Sequence, residues 1–161
     1  MKRLISVFLA AVLLLSLAGC SRTKSYTCQE LTMEIPSSFQ DHSGEESTQK
    51  YTFTVSDDDL VIFGLREAFT DFPDGGPKTL EEYSQLILTA NDTQSQLQSR
   101  EGKQYVYFTF EKTLNNKQYR YIAAMFQAKD AFWLVQTSTY ASKFNEETCL
   151  RYLDTISFSE N

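Results

Sequence analysis

Residues 104–140 read QYVYFTFEKTLNNKQYRYIAAMFQAKDAFWLVQTSTY, and their reading decides the fold class. Val106, Phe108 and Phe110 alternate with Tyr105 and Tyr107, the period of two that sends successive side chains to opposite faces of a strand. Asn115-Asn116 suits a tight hairpin turn because Asn tolerates positive φ. The chain returns over Gln118 to Ala128, turns at Lys129-Asp130, and runs again from Ala131 to Tyr140. Three consecutive antiparallel strands are expected. The 9 Tyr and 12 Phe of the chain lean the same way, since aromatic side chains favour strands.

Upstream, Leu31, Met33 and Ile35 alternate with polar residues up to Pro36 and predict a first strand. Tyr51, Phe53 and Val55 predict a second, Asp57-Asp58-Asp59 a turn, and Leu60 to Phe69 a third that closes a hairpin. The segment Asp71 to Pro77 is loop by composition. Thr79 with Glu82 forms a capping box, and Leu80, Tyr83, Ile87 and Ala90 recur at helical spacing, so a helix over 80–90 follows. Leu97 to Ser99 reads as a short strand. Downstream, Phe144, Cys149, Leu150, Leu153 and Ile156 mark a closing helix capped by Ser142 or Asn145. The order β-β-β-α-β-β-β-β-α predicts an α+β fold: an antiparallel β-sheet of about six to seven strands covered by two helices.

The first twenty residues carry a different signal. Met1-Lys2-Arg3 is basic, and Leu4 to Leu17 is apolar apart from Ser6 and Ser16, the pattern of a secretory leader. That run is shorter than the ~20 residues a membrane span needs. Leu17-Ala18-Gly19-Cys20 resembles the lipobox of bacterial lipoproteins, which implies diacylglyceryl transfer to the Cys20 thiol and cleavage before it. Two acyl chains suffice for stable anchoring. Residues 1–19 are therefore read as signal peptide, 20–25 as a lipidated tether, and 26–161 as one domain. The expected location is the extracytoplasmic face of the cell membrane, held through lipid on Cys20.

The mature 142 residues suit one domain with a real core. Lys2 and Arg3 leave with the leader, so 13 basic residues face 21 acidic ones, net −8. No basic stripe exists, and nucleic acid is not an expected partner. Cys28 and Cys149 are compatible with a disulfide in an oxidising compartment, and Cys149, on a helix's apolar face, is equally compatible with a buried free thiol.

Motifs for catalysis and cofactors are missing. His42 lies in a polar loop without a Ser, Cys or carboxylate spaced as a triad, and no Gly-x-Ser-x-Gly elbow, phosphate loop or His-x-x-x-His pattern occurs. Asp57-Asp58-Asp59 lacks the alternating ligands, glycine and distal Glu of a calcium loop, and Asp71 and Asp74 offer spacing alone. No catalytic residue, metal or cofactor is assigned. Tyr105, Tyr107, Tyr119 and Tyr121 stand on adjacent strands. Left uncovered they would form one tyrosine-rich surface for protein or glycan contact; covered, they are one more packed face.

The opening strand Leu31-Thr32-Met33-Glu34-Ile35-Pro36-Ser37-Ser38-Phe39, the helix Leu80-Glu81-Glu82-Tyr83, the segment Phe132-Trp133-Leu134-Val135 and the terminal Ile156-Ser157-Phe158 resemble the PsbP-like fold shared by small exported lipoproteins of the DcrB type. The resemblance implies an αβα sandwich and a non-enzymatic binding or accessory domain. Placed at the cell envelope by the lipobox, such a domain is expected to bind an envelope protein or other ligand there. The alternative is a small-molecule or metal-binding lipoprotein that assists a transporter, with an envelope hydrolase behind it.

Overall fold

The computed structural model describes residues 22–48, 50–91 and 93–159. The signal peptide and Cys20 lie outside the described residues. In chain order the elements are β1 (Thr23–Cys28), β2 (Leu31–Pro36), β3 (Gln40–Asp41), β4 (Phe53–Ser56), β5 (Leu60–Ala68), α1 (Leu80–Ala90), β6 (Gln98–Ser99), β7 (Val106–Leu114), β8 (Lys117–Gln127), β9 (Ala131–Tyr140), α2 (Glu146–Leu153) and β10 (Ser157–Phe158). Single 3-10 turns follow β5 and β9.

The stretch that opened the sequence reading is the centre of a seven-stranded antiparallel sheet ordered β3-β4-β5-β9-β8-β7-β6. Asn115 and Asn116 take φ of 50° and 60° in the β7–β8 turn, the left-handed backbone that a tight hairpin requires. Alternation then sorts the core. Phe53, Val55, Ile62, Ile122, Ala124, Trp133 and Val135 fill one face, while Phe63, Phe108, Phe110, Ala123, Met125 and Phe132 fill the other. Gly64 lies opposite Phe53 because any Cβ there would run into that ring.

Each face has its own cover. α1 lies on the Phe132 face, where the Tyr83 ring stacks on Phe132 at 4.5 Å and 7°. Its cap is Thr79, whose Oγ1 accepts from Glu82 N at 3.2 Å, while the Glu82 carboxylate accepts from Lys78 N. The expected box is thus displaced by one residue on its return bond. The Trp133 face is covered by α2 and by a small sheet ordered β1-β2-β10. Asn145 caps α2, accepting from Thr148 N at 2.9 Å.

Two expectations need correction. Thr23, Lys24 and Ser25, read as tether, pair with Pro36, Ile35 and Glu34 as the first half of β1. They are exposed on an edge strand, so no hydrophobic alternation marks them. The closing helix is also shorter than its apolar residues suggest. It stops at Leu153, and Ile156 leads into β10, which pairs with β2.

The molecule therefore has two ends. At one, β2 finishes at Pro36, β4 turns into β5 through Asp57–Asp59, and β7 turns into β8. At the other lie the Gln29-Glu30 turn between β1 and β2, the Lys129-Asp130 turn between β8 and β9, and β10. We call these the Pro36 end and the Glu30 end.

Candidate functional site

The Glu30 end carries a cleft of about 640 Å³ between residues 103–105, the end of β8, and the chain running from Leu153 to Ser159. That volume falls within the range of ligand sites. Its floor is apolar, formed by Tyr105, Phe126, Leu153, Ile156 and Phe158, and Lys103 and Lys129 stand on its rim. The aromatic floor is held in contact, with Tyr105 and Phe126 centroids 4.9 Å apart and Phe158 edge-on to Phe126 at 6.0 Å.

The wall beside α2 is fixed by polar contacts. Tyr105 Oη donates to Asp154 Oδ1 at 2.8 Å, and Arg100 Nε meets Asp154 Oδ2 at 2.9 Å. Arg100 also forks onto Glu147, with Nη1 and Nη2 at 2.9 and 2.6 Å from its two oxygens. Lys103 Nζ donates to the Asp154 carbonyl. Burial, then the bond to Asp154, pushes the Tyr105 hydroxyl upward, so it remains a neutral donor. These bonds pin the last turn of α2 to the segment that enters β7, which sets the width of the cleft.

A second hollow of about 430 Å³ adjoins it, sharing Lys129 and Ser159 and adding Gln29, Glu30, Arg66 and Asp130. Here Glu30 Oε1 accepts from Arg66 Nε at 2.8 Å and from the indole N–H of the buried Trp133 at 2.9 Å. Arg66 Nη2 reaches on to Asp130. Burial works to raise the Glu30 carboxyl, but the Trp133 and Arg66 hydrogen bonds outweigh it and hold the group below the usual carboxylate range. The cluster ties the turn of the small sheet to the centre of the large one.

The four tyrosines do not form one surface. The β7–β8 turn pairs Leu114 with Lys117, so odd positions on β7 oppose even ones on β8. Tyr105 and Tyr107 consequently join the core under α2, whereas Tyr121 stacks on Phe110 at 4.8 Å on the opposite face, with Tyr119 beside it. Only Tyr105 borders the cleft.

Both Cys28 and Cys149 are free thiols. Cys28 Sγ points to the Thr52 carbonyl at 3.7 Å, just before β4, and Cys149 lies beside Thr137 of β9. Those strands are two apart in the sheet, a lateral offset of ~10 Å, beyond the reach of a disulfide's paired Cα atoms. Burial raises both thiols, which makes them poor nucleophiles.

His42 Nδ1 lies 2.8 Å from Glu45 Oε1 on an exposed loop, and among the described residues its ring bonds no hydroxyl or thiol. The Asp57 carboxylate accepts from Asp59 N and Leu60 N, so the acidic triplet is a hairpin turn. Asp71 accepts from Ala68 N and so closes the 3-10 turn after β5. Among the described residues no group of three or more potential ligands gathers for a metal.

The cleft escaped the sequence reading because its walls come from three distant segments, none with a motif. Its one sequence signal was the polar-aromatic run Lys103-Gln104-Tyr105 at a strand entrance.

Neither a protein-family model nor a curated protein sequence matches this chain. Solved structures do. A crystal structure from Bacteroides thetaiotaomicron VPI-5482 superposes with a TM-score of 0.58 at 12% identity, covering 86% of this chain and 49% of the other. The present chain thus spans about half the length of that protein. The solution structure of cyanobacterial PsbP (CyanoP) from Synechocystis sp. PCC 6803 gives 0.52 at 11% identity, covering 88% and 95%. At such identities the likeness establishes the fold, which is the PsbP-like α+β fold.

Proposed function

We propose that this chain is a lipid-anchored extracytoplasmic protein whose domain is a non-catalytic binding or accessory module, with the Glu30-end cleft as its contact site. The observation that carries the reading is the relation between anchor and cleft. Only Ser21 separates the lipobox cysteine Cys20 from Arg22, whose carbonyl accepts from Ser37 N at the Pro36 end. β1 then runs away from that point to Cys28, beside the cleft end, a strand of six residues or ~20 Å. Anchoring at Cys20 sets the Pro36 end against the membrane and presents the cleft to the envelope. Among the described residues no helix is long and apolar enough to cross a bilayer. The PsbP-like fold supports an accessory role by analogy alone.

Labelled palmitate should enter the wild-type chain and not the Cys20→Ala variant; equal labelling refutes the anchor. Crosslinking from position 129 on the cleft rim should capture an envelope protein that a position on α1 does not. Equal capture from both positions refutes the cleft. A second reading, a small-molecule carrier, draws on the apolar floor and the volume of the cleft. It predicts a thermal shift with an amphiphilic ligand that Phe158→Asp abolishes.

A further inference from the structure

We infer that the tip of the β7–β8 hairpin is a second membrane foot, which docks on an anionic bilayer beside the lipid on Cys20. This inference rests on the anchor reading above. Three observations carry it, from extension, surface chemistry and placement.

The hairpin projects beyond the rest of its end. Leu60, Thr139, Arg120 and Glu111 lie in one row across β5, β9, β8 and β7. The Asp57–Asp59 turn caps β5 at that row, since Asp57 N donates to the Leu60 carbonyl. The β7–β8 pair continues three residues further, to Leu114 opposite Lys117. Three residues of strand are ~10 Å. The hairpin therefore reaches a surface while the carboxylates of the acidic turn stay about one Debye length behind it.

The tip has interfacial chemistry. Leu114 is 49% exposed, one of three large apolar side chains so open among the described residues. Lys112 and Lys117 flank it. Their ammonium groups rest over the Phe110 and Tyr140 rings at 5.2 and 5.5 Å, and neither meets a carboxylate among the described residues. Tyr119 and Tyr140 stack at 4.9 Å just behind. An apolar point, a cationic collar and a tyrosine belt match the layers from acyl chain to headgroup. Glu111, the nearest acid on the hairpin, is occupied by Arg120 at 3.3 Å. The other exposed apolar residues, Phe69 and Leu86, lie on the first 3-10 turn and on α1, without such a collar.

The tip stands on the anchored side. β1 lies over β4, where the Tyr26 and Phe53 rings meet at 5.5 Å, and β4 is three strands from β8. Three strand spacings across the sheet and one ~10 Å step between the small sheet and the large one separate the tether from the hairpin, ~17 Å in all. One tether leaves the domain free to pivot in any direction; a second contact confines it to rocking about the line between the two, with the cleft at the far end of the domain.

The test uses the lipidated mature chain in vesicles of phosphatidylcholine and phosphatidylglycerol, with Leu114→Trp as reporter against the buried Trp133 of the parent. The new indole should emit to the blue and lose intensity when the acyl chains are brominated. Lys112→Gln with Lys117→Gln should weaken that contact roughly 25-fold, from about fivefold per lysine at an anionic surface. Pure phosphatidylcholine should weaken it likewise. An indole that stays water-exposed and unquenched while the protein floats with the vesicles overturns the hairpin contact and leaves the anchor standing. A wild-type chain that fails to float overturns both.

Discussion

Removal of the Glu30 carboxylate tests whether the turn of the small sheet is bolted to the core as the geometry requires. Glu30→Ala leaves the indole N–H of Trp133, a fully buried residue, without its acceptor, a loss of about 1–3 kcal/mol. Arg66 loses one partner but keeps Asp130, and the broken pair is partly solvated, so about 1 kcal/mol more is lost. Together these give about 2–4 kcal/mol. A mature chain of 142 residues has an unfolding entropy near 0.3 kcal/mol/K, so the expected fall in Tm is roughly 7–13 °C. Glu30→Gln retains an oxygen for the indole and should lose about half as much. The sign of the pH dependence follows from the lowered carboxyl: its stabilisation is present above the unfolded value of about 4.3 and is lost as pH falls through the folded value below it. Thermal melts of wild type and Glu30→Gln at a series of pH values should therefore separate at pH 7 and converge below pH of about 4. A gap that is the same at both limits, or a Glu30→Ala protein as stable as wild type, refutes the reasoning.

Gly64→Ala should destabilise by about 1–3 kcal/mol in urea melts, because its Cβ overlaps the Phe53 ring in a packed core. Protein denatured without reductant should titrate two thiols, Cys28 and Cys149; a count of zero would show a bridge. The Tyr26 phenol, pushed up to about 12 by burial, which outweighs the lowering effect of its bond with Ser43, should ionise late in an ultraviolet titration. It is raised above the unfolded value, so its contribution is whole below pH of about 10 and falls as pH rises through the folded value; Tyr26→Phe should flatten that alkaline loss. Tyr105→Phe should cost about 1–2 kcal/mol in melts through the unpaired Asp154 oxygen, with the loss of protection in hydrogen exchange concentrated in α2.

The sheet was legible because its strands announce themselves twice, by alternation and by turn chemistry. Asn115-Asn116, Asp57–Asp59 and Lys129-Asp130 all turn where they were expected to. α1 runs from Leu80 to Ala90 as its cap and spacing predict. What escaped was structure too short or too exposed to show an alternation of its own. β1 is an exposed edge, β3 is two residues long, and β10 is fixed by contacts with β2 more than 120 residues earlier in the chain. Such strands form because a neighbour offers hydrogen bonds, and their own composition records little of it.

The tyrosines show a different failure, in which the needed information was present. A two-residue turn at 115–116 forces paired positions to sum to an odd number, as Leu114 with Lys117 and Phe110 with Tyr121 do. Residues on one face must then be even on one strand and odd on the other. Tyr105, Tyr107, Tyr119 and Tyr121 are all odd, so no register compatible with that turn brings them together. The same parity places Tyr105 opposite Phe126, whose ring it meets in the floor of the cleft. The two aromatic pairs thus divide the labour of the hairpin. Tyr105 shapes the cleft at the Glu30 end, while Tyr119 backs the projecting tip at the Pro36 end, stacked on Tyr140. A hairpin rigid over this length fixes the distance between the two, so an anchored tip sets how far the cleft stands from the membrane.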